Sequence, residues 1–248
     1  MIVERPPYDL VIVFADADTQ RFVERLVERG QERRCLAPLS WRSHRDTRRD
    51  SLIANPGRVT EPFRGLCPKP RLMVLWDHVG SGRESESPSA VEAHVTTALI
   101  ASGWPIADLA AIAIAPELEV LLEPTWDRVK KALADRRQRP LPTDSEVSQA
   151  ARAKLGIGRN RPLLSDDAKR EMLAHPKEIL EGLVEHLQLR RTPHLYAELG
   201  NELSIPVLKG GGAQPACSPP PTATNAAARI ASYLVRWFPG GDDVNIQS

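Results

Sequence analysis

Apolar positions cluster along this chain in two alternating rhythms. Leu10 to Ala15 is a short continuous run rich in β-branched residues, the pattern of a strand buried on both faces of a parallel sheet. Phe22, Val23, Leu26 and Val27 then recur at helical spacing, and Gly30 follows as a C-terminal stop, which predicts a helix from about Asp18 to Arg29. The buried-strand pattern returns at Arg71 to Asp77 and again at Ala110 to Ala115. Between these two strands, Ser87-Pro88 and a capping box of Ser89 and Glu92 open a helix facing inward through Val91, Val95, Ala98 and Leu99, closed by Gly103. Strands alternating with helices predict an α/β fold: a three-layer domain around a parallel sheet.

Two stretches lack this rhythm. Residues 31 to 70 are arginine-rich and irregular, with a strand expected at Arg34 to Leu39 and a turn at Asn55-Pro56-Gly57. From about Asp135 to Ala174 the chain is polar and without period, which reads as a linker or insertion. Beyond it, three apolar helical patterns follow: Ile179 to Leu187; Leu195, Tyr196, Leu199 and Leu203; and Ile230, Tyr233, Leu234 and Trp237. The expected organisation is an α/β domain over 1–135, a polar segment over 136–174 and a helical C-terminal part over 175–248.

Composition narrows the class. A chain of 248 residues, 42% hydrophobic and 26% charged, can bury a substantial core without disulfide or metal staples. Cys35, Cys67 and Cys217 form no CxxC pair, so neither a zinc site nor a disulfide framework is indicated. No segment approaches the roughly 18 apolar residues of a spanning helix, and charges precede the first apolar run. The reading is an untargeted cytoplasmic protein with no membrane association. A net charge of +1 provides no global field toward nucleic acid, so any such contact needs a local patch.

The chemistry-bearing signal is acidic. Ligands of open parallel sheets collect at the carboxyl ends of the strands. Here those ends carry Asp16 and Asp18, then Asp77, then Glu117 and Glu119. Two carboxylates about 4 Å apart repel by roughly 4 kcal/mol at an effective dielectric near 20, a cost that a hard cation such as Mg²⁺ or Mn²⁺ removes. Asp16, Asp77 and Glu119 are the candidate catalytic ligands, with Asp18 and Glu117 beside them. The competing reading is structural: Asp16 and Asp18 cap the first helix, and the glutamates complement a helix dipole. Gly80 and Gly82 would let backbone approach a phosphate closely. His78, next to Asp77, is either a base or ligand or a polar loop residue.

Arg42, Arg45, Arg48 and Arg49, with Trp41 and His44 nearby, form a basic run suited to phosphate contact and base stacking, or to a solvated loop. Lys177 either reaches the site from the C-terminal part or belongs to a helix start with Pro176 at its first position. Tyr196, Trp237 and Phe238 read as core. No GxSxG elbow, complete P-loop or HExxH occurs, which argues against serine hydrolase, NTPase and zincin chemistry.

Taken in order, VIVFADADTQRFVERL, LMVLWDHVGSGRE, SGWPIADLAAIAIAPELEVLLEP, HPKEILEGL, TPHLYAEL and YLVRWFP resemble a bacterial family with members described as accessory proteins of methylation-associated anti-phage defence systems. The resemblance covers most of the chain outside about 31–70 and 136–174. That family is in turn similar to divergent Toprim-type domains, in which a glutamate after the first strand and aspartates after a later one bind Mg²⁺. Ala15 stands where that glutamate is expected, with Asp16 next to it, and the Asp-x-Asp pattern reads Asp77-His78-Val79. Asp77 and the segment Pro116 to Glu119 carry over. The resemblance implies nucleic-acid processing or sensing, with other defence-system proteins and DNA or RNA as partners. A non-catalytic scaffold or regulatory subunit is the alternative.

Overall fold

The computed structural model describes residues 8–46, 51–115 and 226–240, together with positions 118, 131, 134, 140, 143, 146, 196, 197 and 200. Among these residues the elements run β1 (Leu10–Phe14), α1 (Ala17–Glu32), β2 (Trp41–Arg45), α2 (Ser51–Ala54), α3 (Pro56–Arg64), β3 (Arg71–Asp77), α4 (Pro88–Ala101), a short 3₁₀ turn (Ile106–Asp108), β4 (Leu109–Ile114) and α5 (Ala226–Trp237). The four strands form one all-parallel sheet in the order β2-β1-β3-β4. The α/β architecture around a parallel sheet is therefore as the hydrophobic pattern predicts.

The pleat explains why β1 and β3 are apolar throughout. Leu10, Ile12 and Phe14 join Met73 and Leu75 in a core with α1 and α5, whereas Val11 and Val13 join Leu72, Val74 and Trp76 in a second core with α2, α3 and α4. The sheet thus separates two hydrophobic cores. In α1 the stripe Phe22, Val23, Leu26, Val27 and Gly30 is buried, so Gly30 is a small residue on the packed side of the helix and not its stop. The helix continues to Glu32, and the left-handed position falls at Arg34, with φ +56°.

The arginine-rich stretch differs most from expectation. Its strand is Trp41–Arg45, paired in parallel with β1, whereas Leu36 makes only an isolated bridge to Pro239. β2 is the edge strand beside β1, so pairing with a buried neighbour overrides its polar composition. Asn55-Pro56-Gly57 is a helix start and not a turn. Pro56 occupies the first turn of α3, where a missing N–H leaves no hydrogen bond unmade, and a side chain at Gly57 would meet Ser102 Oγ at 2.1 Å. Leu52, Ile53, Val59 and Phe63 seal the second core, and a buried hydrogen bond from Trp104 Nε1 to Thr60 Oγ1 (3.1 Å) fixes α3 to the turn after α4.

The capping box expected of Ser89 and Glu92 is also replaced. Ser87 caps α4 by accepting from the Ala90 N–H at 3.2 Å. Glu92 is thereby released to reach the sheet. Its Oε1 accepts from the Ala113 N–H of β4 at 2.8 Å, while its two oxygens take both guanidinium arms of Arg229 in α5 at 2.7 and 2.8 Å. α4 and α5 pack on opposite faces, so this pair closes around the β4 side of the sheet. Burial alone would pull the Arg229 pKa down; the Glu92 hydrogen bonds and charge outweigh it and hold the guanidinium's pKa raised. Ile230, Leu234, Trp237, Phe238 and Tyr196 lie in the α1-side core, as expected of core aromatics and aliphatics. Of the other two expected C-terminal helical patterns, Ile179 to Leu187 lies outside the described residues, as do Leu195, Leu199 and Leu203 of the second and almost all of 136–174. No helix among the described residues is long and apolar enough to cross a membrane.

Candidate acidic site at the topological switch point

The order β2-β1-β3-β4 sends the chain from β1 to one side and from β3 to the other. The crevice beyond the carboxyl ends of β1 and β3 is consequently the switch point at which open α/β sheets receive ligands. Phe14 pairs with Leu75, and the ladder continues with the Ala15 N–H donating to the Leu75 carbonyl at 3.1 Å. Asp16 follows β1 two residues beyond Phe14, and Asp77 closes β3 two residues beyond Leu75, so both acids stand at the carboxyl ends of adjacent strands. Both share the side-chain parity of Phe14 and Leu75, so they belong to the α1 side of the sheet. Two of the three candidate catalytic acids therefore lie at the ends of adjacent strands.

Asp16 has two tasks in its two oxygens. Oδ1 accepts from the Asp18 and Thr19 N–H groups at 2.9 and 2.7 Å, which makes Asp16 the N-cap of α1. Oδ2 is buried and has no hydrogen-bond partner. An unsatisfied buried carboxylate oxygen carries a desolvation cost of about 1–3 kcal/mol, which a cation or a donor from a ligand would remove. The structural reading of Asp16 is thus realised in one oxygen while the other remains suited to a ligand. Asp18 forms an ion pair with Arg21 at 3.3 Å within the first turn of α1, where its charge also complements the helix dipole.

Glu117 and Glu119 lie outside the described residues; Leu118 between them is buried in the α1-side core. Among the described residues no group of three or more His, Cys, Asp or Glu side chains is arranged to hold a metal ion. Mg²⁺ commonly takes one or two protein carboxylates and completes its shell with water and phosphate oxygens, so Asp16 and Asp77 are the described carboxylates at this sheet end that could serve this ion or Mn²⁺.

The exit loop of β3 is more organised than its glycines suggested. His78 donates its backbone N–H to the Ile114 carbonyl at 2.7 Å, tying the loop to β4, and its side chain is 8% exposed with Nδ1 lacking a hydrogen-bond partner. The Gly80 and Gly82 amides converge on a single oxygen, Glu84 Oε1, at 2.8 and 3.1 Å. Backbone donation from Glu84's own amide, Gly82 and Gly80, together with the charge of His78, holds this exposed carboxyl below its ordinary pKa. The amides expected to approach a phosphate thus already hold an anion. The Gly-x-Gly-x-Glu spacing is the sequence signal for Glu84, whereas the spacing that suggests a capping role for Glu92 does not show its reach to β4 and Arg229, which no local pattern marks.

The basic run divides. Arg42 and Arg45 are exposed on the edge strand β2, but they are three residues apart and the pleat sends them to opposite faces. Arg45 pairs with Phe14 and so stands at the carboxyl end with the acids, whereas Arg42 pairs with Val11 in mid-strand. His44 packs edge-on against Phe63 at 5.4 Å, and Trp41 is partly buried against the α1-side core, so neither is a freely projecting stacking platform. Arg48, Arg49 and Lys177 lie outside the described residues. No family model, curated protein or solved structure matches this chain.

Proposed function

We propose that this chain is a nucleic-acid-processing or nucleic-acid-sensing component of bacterial anti-phage defence, built on a Toprim-like domain with a helical C-terminal part and an acidic centre assisted by Mg²⁺ or Mn²⁺. The observation that carries this reading is that Asp16 and Asp77 stand at the carboxyl ends of the adjacent strands β1 and β3, at the switch point, with Asp16 Oδ2 buried and lacking a hydrogen-bond partner. The defence context rests on the family resemblance. Asp16 and Asp77 would hold the cation, with Asp18, Glu117 and Glu119 as further acids of the same sheet end. When bound, the cation supplies charge neutralisation at a phosphoryl oxygen. Arg45, at that end of β2, is the described arginine best situated to meet the same strand of DNA or RNA. Arg42, Arg48, Arg49 and Lys177 are the remaining basic candidates, and other defence proteins are the proposed partners in the cytoplasm.

A second reading, a non-catalytic scaffold or regulatory subunit, is favoured by the use of Asp16 Oδ1 as the α1 cap. Substitution separates the two. Asp77→Asn preserves shape while removing a charge, so under the cation-assisted reading it lowers Mn²⁺ affinity at least tenfold, about 1.4 kcal/mol, and abolishes Mg²⁺-dependent cleavage or binding of single- or double-stranded DNA or RNA. Equal behaviour of wild type and variant, with and without chelator, assigns the protein to the scaffold class.

A further inference from the structure

We propose that the loop Gly80 to Glu84 is a phosphate-oxyanion site whose anion position is held by the chain's own Glu84, which yields to the ligand. The proposal rests on the nucleic-acid reading above for the identity of the anion and adds where a phosphate group would be gripped. Four observations support it. The Gly80 and Gly82 amides point at one oxygen, a two-donor arrangement that suits one oxygen of a phosphate as well as one of a carboxylate. Both glycines have positive φ, +82° and +75°, and nothing lies within 4 Å of where a Cβ would stand. They are accordingly required for the direction of their amides and not for close packing, and the space around them is open to a ligand.

The occupant is exchangeable. Glu84 is exposed and reaches the amides on a single short tether, while Arg83, the cation next to it, is engaged in a two-point pair with Glu86 at 2.5 and 2.8 Å. The loop also contains His78, 8% exposed with an unpartnered Nδ1, one residue beyond Asp77. Phosphate held here would lie in the loop that leaves the end of β3. A tethered carboxylate competes with a free anion at an effective concentration of the order of millimolar, so it tunes the site to bind phosphate weakly until multiple contacts are made.

The test uses the full chain in chelator, so that it is independent of any cation. Wild type, Glu84→Ala and Glu84→Gln are titrated with inorganic phosphate while the Gly80 and Gly82 amide resonances are followed. Saturable shifts at both glycines are expected, with Glu84→Ala binding about tenfold more tightly than wild type because the competitor is gone. Glu84→Gln, which keeps an acceptor oxygen without charge and preserves the loop, falls between them. Absence of a shift in both variants, or equal affinity in all three proteins, overturns the proposal and leaves Glu84 a loop staple. A 5′-phosphorylated dinucleotide compared with its unphosphorylated form then distinguishes a terminal phosphate from a backbone diester as the source of the oxyanion. Mn²⁺ titration of the same samples reports separately on Asp16 and Asp77, so failure of the loop and failure of the acidic centre give different results.

Discussion

Asp16 shows how one side chain can satisfy two readings of a sequence. Its Oδ1 organises the start of α1, and its Oδ2 is buried without a hydrogen bond. Substitution can divide these roles because asparagine is as good an N-cap as aspartate. Asp16→Ala should destabilise the protein by about 1 kcal/mol in urea unfolding, while Asp16→Asn should stay within a few tenths of wild type. If the Asn variant loses cation affinity while its stability holds, the second oxygen has a function of its own. Glu84 gives a pH counterpart. Its folded pKa lies below its ordinary value, so its contribution to the loop is complete above that ordinary value and is lost as pH falls through the lowered one. The Gly80 and Gly82 amide resonances should titrate together in that acidic window, and Glu84→Gln should abolish the transition.

At the scale of elements, legibility in the sequence followed burial. β1, β3 and β4 are buried on both faces, and their continuous apolar runs announced them to within one residue at either end. β2 was invisible because Trp41-Arg-Ser-His-Arg45 has neither an apolar run nor alternation; an edge strand takes its conformation from the ladder to β1. α3 was mistaken for a turn because its first residues, Pro56 and Gly57, carry the same chemistry in both settings. The acids at strand ends could be read, since topology alone brings Asp16 and Asp77 together, but no local pattern reveals that Glu92 reaches across to Arg229. That pair is 14% and 26% exposed at its side chains. A double-mutant cycle on Glu92→Gln and Arg229→Met should return a coupling of about 1–3 kcal/mol, in the upper range for paired charges because the two sit largely out of water.

For the whole molecule, the sheet divides the interior into two cores, and α5 completes one of them with Ile230, Leu234 and Trp237 packed among residues of β1, α1 and β4. This makes α5 a part of the α/β unit and not an appendage to it. Leu234→Ala should therefore cost about 2–5 kcal/mol and lower the single transition of the entire domain. If α5 were only attached at the surface, the variant would instead detach it in a separate early step. Calorimetry of the variant and wild type, compared for one transition or two, decides between these outcomes.

The position of α5 in the chain also bears on synthesis at the ribosome. β4 ends at Ile114, while the helix that covers its α1-side face begins at Ala226. At about 5–20 residues per second, translating the intervening stretch takes on the order of 10 s, during which the α1-side core lacks Ile230, Leu234 and Trp237. An apolar surface left open for that long is a substrate for chaperones and a nucleus for aggregation. The α1-side core can therefore be completed only once Ala226–Trp237 has been made.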